Sequence, residues 1–369
     1  MKIINARVVK PGCIIENGTI ITENGRIVYA GEEKNAPPSQ APVYDAKGLI
    51  AGPGFVDIHC HGGGEWWSYE NPAGVGLYHL KGGTTSLLCS FWRNAVKDGI
   101  QKAIDRVKDA IENNNPGNIR GIHMEGPYLN PRYGTEGGKE YPVDPCQYLD
   151  WMDRGKDIIK YWTFDPEQEG TEEFARECQQ RGIALGICYS DASVSTIEYY
   201  RSYGLNIGTH IMCATGRPFN PIKGTREPGS DEYVLVSDDM YAEVIADSPG
   251  AHIRPWNIKL IYKLKGAEKI IIITDCCTGG DTQGSDVNII DGKLYGSRLT
   301  MNVACRNMKK FTSAGIEDIF KMASENPAKA VGIFDKYGSL EEGKAADIIF
   351  IDEDFNVRDV ILGGKLIKM

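Results

Sequence analysis

Two histidines one residue apart, His59 and His61, close the apolar run of "GPGFVDIHCHGGG" and precede three glycines, in a chain with only six histidines. In an extended strand residues i and i+2 share a face, so both imidazoles project together while Cys60 turns away. Such a pair can grip one metal ion. Other donors that suit a borderline divalent metal also sit at the ends of apolar runs: Glu125 in "GIHMEGPYL", His210 in "IGTHIM" and Asp275 in "IIIITDCC". Asp275 follows four isoleucines and a threonine, where a buried carboxylate is costly without a cationic partner. Each residue alone reads as an ordinary core or loop group, but together they point to a metal-dependent reaction. His123, two residues before Glu125, reads as a supporting or core group, and His79 as a surface residue of a helix.

The elements that position these donors follow from the pattern of short β-branched runs alternating with segments of helical period. Eight strands are predicted at 55–59, 84–90, 119–124, 160–164, 183–188, 206–211, 243–247 and 270–275. Helical stretches such as "VKDGIQKAIDRVKDAIE" and "TEEFARECQQRG" follow them. Eight β/α units predict a TIM (β/α)8 barrel, whose chemistry sits at the C-terminal ends of the strands. A doubly wound sheet is the alternative. The first fifty and last thirty residues read as short strands, with Asn24-Gly25 as a type I′ hairpin turn.

The 369 residues, 41% hydrophobic and 25% charged, describe a folded globular chain. A formal net charge of −9 argues against a nucleic-acid surface. No apolar run reaches the ~18 residues of a membrane span, and the N-terminus does not read as a leader, so the expectation is a cytoplasmic protein without membrane partners. Ten scattered cysteines with no C-x-x-C pair fit a reducing compartment.

These motifs, in order, make the chain resemble the amidohydrolase superfamily and, within it, the N-acetylglucosamine-6-phosphate deacetylase family. "AGPGFVDIHCHGGG", "GIHMEGPYLNP", "TFDPE", "GTHIMCAT", "TREPG", "YAEVIAD", "IIITDCC", "YGSRLTMNVACRNM" and "GSLEEGKAADIIFID" carry the resemblance over essentially the whole length. It implies a TIM barrel over 53–335, with the chain ends 1–52 and 336–369 joined in a small β-sandwich domain, and a divalent metal that polarises an acetamide carbonyl and activates water. The implied ligands are His59, His61, Glu125, His210 and Asp275. Asp275 is the implied general base, and His252 in "IADSPGAHI" the group that holds the carbonyl oxygen. Arg226 in "TREPG" is the implied phosphate contact, contributed across a homodimer interface.

The resemblance breaks at the fifth strand. There the family places a metal-binding histidine, and this chain has Cys188-Tyr189-Ser190 with Tyr189 at that position. A phenol with an ordinary pKa of ~10 is a poor ligand unless a metal forces ionisation. Alternation predicts that Cys188 faces away from Tyr189. The expected consequence is one metal per chain, on the His59/His61 side, with zinc first and iron, manganese or cobalt as alternatives. Cys213 and Ala214 replace family residues that touch the phosphate, and Glu136 stands where the family has a sugar contact. The implied activity is deacetylation of an N-acetyl amino sugar, with N-acetylglucosamine 6-phosphate as the leading substrate. The alternatives are another N-acyl or cyclic amide substrate, or a silent sugar-binding paralogue.

Overall fold

The computed structural model describes residues 1–92, 99–134, 141–216, 224–225 and 227–367. Strands Phe55–Cys60, Thr84–Trp92, Ile119–Glu125, Ile159–Phe164, Ala184–Ile187, Leu205–Gly208, Tyr241–Ile245 and Ile270–Ile273 each pair in parallel with the next. The first and eighth meet at the C-terminal rim, where Asp275 N–H donates to His59 O and His61 N–H to Cys276 O, both at 2.9 Å. This is the expected (β/α)8 barrel. Its strands read as unbroken apolar runs because helices cover one face and the barrel core fills the other. The helix Ile100–Glu112 shows the matching pattern, burying Ile100, Ala103, Ile104, Val107 and Ala110 at helical spacing.

Both chain ends enter a second sheet of eight strands. Ile50–Pro53 joins them, running parallel to Lys2–Lys10 and antiparallel to Ile348–Ile351. Asn24 and Gly25, at φ 49° and 76°, turn the hairpin between Cys13–Glu23 and Arg26–Glu32. Ile3, Val8, Ile20, Ile348, Phe350 and Ile361 give this β-sandwich unit its own core.

Two features differ from the sequence reading. The fifth, sixth and eighth strands stop at Ile187, Gly208 and Ile273, short of the residues assigned to them. Tyr189, His210 and Asp275 lie beyond those ends at φ 47°, 30° and 46°, in left-handed backbone that cannot continue a ladder. His79 does sit on a helix, Pro72–Leu80, but it is buried rather than exposed, with Nε2 2.9 Å from Gly62 O and 3.1 Å from Cys60 Sγ. That packing calls for glycine at position 63, where a Cβ would stand 2.7 Å from Tyr78 Cδ1 and 2.8 Å from His79 Nε2. Among the described residues no helix is long and apolar enough to cross a membrane.

Arg120 ties the barrel to the second sheet. Its guanidinium donates to Thr85 O, Gly117 O and Asp347 Oδ2 at 2.8–3.0 Å and lies over the Tyr337 ring. Asp347 accepts in turn from Gly363 N–H at 2.7 Å. Both side chains are nearly enclosed, 12% and 6% exposed, so neither can be solvated once its partner is removed. Arg120→Ala is therefore expected to lower unfolding free energy by about 3–5 kcal/mol in urea titration. A loss below ~1 kcal/mol, the size of a surface pair, would show that the junction is not what holds the two units together.

Candidate active site

The barrel rim brings His59, His61, Glu125, His210 and Asp275 together. His59 and His61 sit on the same face, as the i, i+2 spacing requires, with their Nε2 atoms 3.1 Å apart. Glu125 uses both oxygens: Oε2 lies 3.0 Å from His61 Nε2 and 3.6 Å from His59 Nε2, and Oε1 lies 3.0 Å from His210 Nε2. Asp275 Oδ1 stands 3.4 Å from His61 Nε2 and 3.6 Å from His59 Nε2. All five residues are buried or nearly so.

The hydrogen-bond directions fix what these atoms offer. Glu243, on the seventh strand, places Oε2 3.2 Å from His59 Nδ1. A carboxylate only accepts, so Nδ1 carries the hydrogen and Nε2 turns its lone pair to the rim. The Cys213 carbonyl does the same for His210 Nδ1 at 3.1 Å. Acceptors thus face acceptors at about 3.0–3.6 Å across the centre, which demands a proton or a metal cation between them. Metal bonds of 2.0–2.1 Å in a tetrahedron give ligand separations of about 3.3–3.4 Å, so the donor set fits a divalent ion.

The electrostatics agree. Burial opposes the charged form of His59, but Glu125, Glu243 and Asp275 outweigh it and raise its pKa well above the ordinary imidazole value. Burial likewise works against Glu125, yet His59, His210 and His61 hold its pKa far below the usual carboxylate range. Three carboxylates therefore face three imidazoles in one dry site, and their charge is balanced by protons on the imidazoles or by a bound cation that takes the place of those protons.

His252 stands beside this group with its Nδ1 3.1 Å from Asp247 Oδ2, while its buried Nε2 has no hydrogen-bond partner among the described residues. Asp247 also accepts from the backbone N–H groups of Ala251 and His252, so the ring is held from behind. Cys213, Ala214 and Tyr189 line the same cavity of about 140 Å³, together with His61, Glu125, His210, His252 and Asp275. Arg226 and Glu136 lie outside the described residues. His123 donates and accepts within a layer behind the rim, 2.9 Å from Ser90 Oγ and 3.0 Å from Thr163 Oγ1, with its ring against His59.

Alternation misplaces Cys188. Strand geometry ends at Ile187 and Tyr189 turns left-handed, so Cys188 and Tyr189 both face the site. Cys188 Sγ lies 3.5 Å from His210 Nε2, and the Tyr189 ring packs on His210 and Trp92. Burial and then Glu125 push the Tyr189 phenol well above its usual pKa, so it stays neutral. The sequence reading also omitted Glu243 and Asp247, although a charged residue inside "YAEVIAD" carries the same signal that singled out Asp275. The cavity walls Trp67, Trp92, Leu294 and Tyr295 gave no such signal, because aromatic residues are ordinary core material.

Residues 256–367 match the model of the amidohydrolase family. The chain is 30% identical to an N-acetylglucosamine-6-phosphate deacetylase of Bacillus subtilis strain 168, covering 96% of this chain and 93% of that one. It is 27% identical to an N-acetylgalactosamine-6-phosphate deacetylase of Shewanella sp. strain ANA-3, over 86% and 83%. A solved N-acetylglucosamine-6-phosphate deacetylase from Thermotoga maritima superposes with a TM-score of 0.83 at 26% identity, covering 99% of both chains. With the barrel, the rim donors and this full-length similarity together, the chain belongs to the amidohydrolase superfamily and, within it, to the N-acetylglucosamine-6-phosphate deacetylase family.

Proposed function

We propose that the protein hydrolyses the acetamide of N-acetylglucosamine 6-phosphate, releasing acetate and the free amino sugar phosphate. The observation that carries this reading is the convergence of His59, His61, Glu125 and Asp275 with acceptor atoms facing one another at 3.0–3.6 Å. These residues would hold a divalent metal, zinc by the donor set, which supplies Lewis acidity and a water acidic enough to attack at neutral pH. Asp275 takes the proton of the attacking water and returns it to the nitrogen as the carbon–nitrogen bond breaks. His252 donates from Nε2 to the carbonyl oxygen as that oxygen gains charge. Asp247 holds Nδ1 from behind and so keeps Nε2 turned to the cavity. The aromatic walls exclude water around these groups and strengthen their interactions.

The phosphate needs a cation, and no lysine or arginine lines the cavity among its described residues. Arg226 from a second copy meets that need, which makes the protein a homodimer with shared sites. In support, the helix Pro255–Lys265 carries Trp256, Leu260 and Leu264 on one exposed stripe, with Trp256 80% exposed, and Val236 lies exposed at the end of the neighbouring helix Ser230–Val236. An apolar face of this kind suits a partner subunit.

The decisive assay is acetate release from N-acetylglucosamine 6-phosphate by zinc-loaded protein, run beside the galacto epimer because one relative acts on that sugar by name. Asp275→Asn is expected to lower kcat by about 10²–10⁴-fold with ligand affinity retained, and unchanged turnover would remove Asp275 from the reaction. His252→Gln is expected to cost about 10²–10³-fold in kcat with little change in KM. A KM effect alone would make it a binding group. In sedimentation velocity the wild type should run as a dimer, and Leu260→Glu with Leu264→Glu should shift it to monomer and raise KM for the phosphorylated sugar. A monomeric, fully active wild type would refute sharing of Arg226.

A further inference from the structure

The rim contains a second set of donors that the function above does not use. Glu125 Oε1, His210 Nε2 and Cys188 Sγ all lie within 4.8 Å of one another, and all three residues are buried. We infer that Cys188 is a metal ligand, so that Glu125, Cys188 and His210 hold a second divalent ion, bridged through Glu125 to the one on the His59/His61 side. The inference rests on the metal-dependent reading for the presence of a divalent ion, and it is independent of which sugar is the substrate.

Three observations carry it. First, the pairwise geometry matches. A nitrogen at 2.0–2.1 Å and a sulfur at 2.3 Å from a tetrahedral ion stand about 3.5 Å apart, and Cys188 Sγ is 3.5 Å from His210 Nε2. The sulfur is also 3.6 Å from Nδ1, so it rests against the face of the imidazole. Ligation calls for a change of the Cys188 χ1 rotamer that swings it to the Nε2 side.

Second, His210 is already set as a ligand. Its Nδ1–H is held by Cys213 O at 3.1 Å, and its Nε2 faces the acceptor Glu125 Oε1 at 3.0 Å. A pair at that distance is bridged by a proton or by a metal cation, and a metal takes the place of the proton without moving either side chain far. The His59/His61 ion is served by the other oxygen, Oε2.

Third, the backbone delivers this sulfur to the site. Asn130 N–H donates to Tyr189 O at 3.0 Å, Ser190 N–H to Thr215 O at 2.9 Å, and Ser190 Oγ–H to Asp165 Oδ1 at 2.5 Å. The turn is held from three sides with Tyr189 left-handed, which brings Cys188 to the face that strand alternation would deny it. Burial pushes the free thiol above its usual pKa. A coordinating thiol is nevertheless deprotonated outright: as the sulfur–metal bond forms the S–H bond breaks, and the proton leaves to solvent.

Cobalt(II) tests this on the full-length protein, because a thiolate bound to it gives a near-ultraviolet charge-transfer band that nitrogen and oxygen ligands do not. Wild-type protein titrated with cobalt(II) should bind two equivalents and develop the band. Cys188→Ser should lose the band and one equivalent, while Cys213→Ser and Cys277→Ser, which alter the other cavity cysteines, should keep both. Cys188→His should recover the second equivalent without the band, which separates ligation from misfolding. A wild type without the band, or a band that survives in Cys188→Ser, overturns the inference. Sugar turnover without the band leaves the deacetylase reading standing and removes only this ligand. The band without turnover does the reverse.

Discussion

The Glu125 carboxylate is the constraint on which the rest of the molecule depends. It is buried, it reaches the His59/His61 pair with one oxygen and His210 with the other, and it shares the site with Asp275 and Glu243. That much negative charge in a dry cavity needs positive charge beside it, from protonated imidazoles or from a bound cation. Four separate strands must therefore end at one level, within the few tenths of an ångström that ligand distances allow. A closed barrel meets this requirement because each strand is fixed by both neighbours, so no edge can drift.

Closure alone does not aim the side chains. The short fifth, sixth and eighth strands release Tyr189, His210 and Asp275 into left-handed backbone, a conformation that costs of order 1 kcal/mol or more for a non-glycine residue. The cost is borne where turns are held by hydrogen bonds, as with Ser190 on Asp165 and Met212 N–H on Asp231. Asp57 adds a tie beneath the rim: it accepts from Thr274 Oγ at 2.5 Å and links the strand of His59 to the strand of Asp275. Its burial raises its pKa to about 7, which marks how little water reaches this layer.

The fold was legible because short, mostly apolar runs recur between helical stretches, and Ile270–Ile273 is β-branched throughout. The rim donors were legible for the same reason, since a charged or imidazole side chain after such a run has no solvation reason to be there. What periodicity could not supply was where each strand stops. Placing the end of the fifth strand one residue late turned Cys188 to the wrong face, and no local pattern marks the left-handed Tyr189. His79 was misread because its partners, Gly62 O and Cys60 Sγ, are contributed by the rim turn rather than by its own helix. Glu243 and Asp247 were readable by the logic applied to Asp275.

Replacing an imidazole by the pair Cys188-Tyr189 is one change with two consequences for the site. A neutral imidazole ligand leaves the charge of the Glu125–His210 half unchanged, whereas a thiolate adds a negative charge and binds a soft or borderline ion more strongly. The greater donation also makes that ion a weaker Lewis acid, so the work of activating water falls to the His59/His61 half with its all-nitrogen-and-oxygen set. Tyr189 fills the space the imidazole would occupy, packing between Trp92 and His210 as a neutral wall. The two halves are then unequal in donor type: Glu125 and His210 have Cys188 and Tyr189 beside them, whereas His59 and His61 face Asp275 with nitrogen and oxygen donors alone.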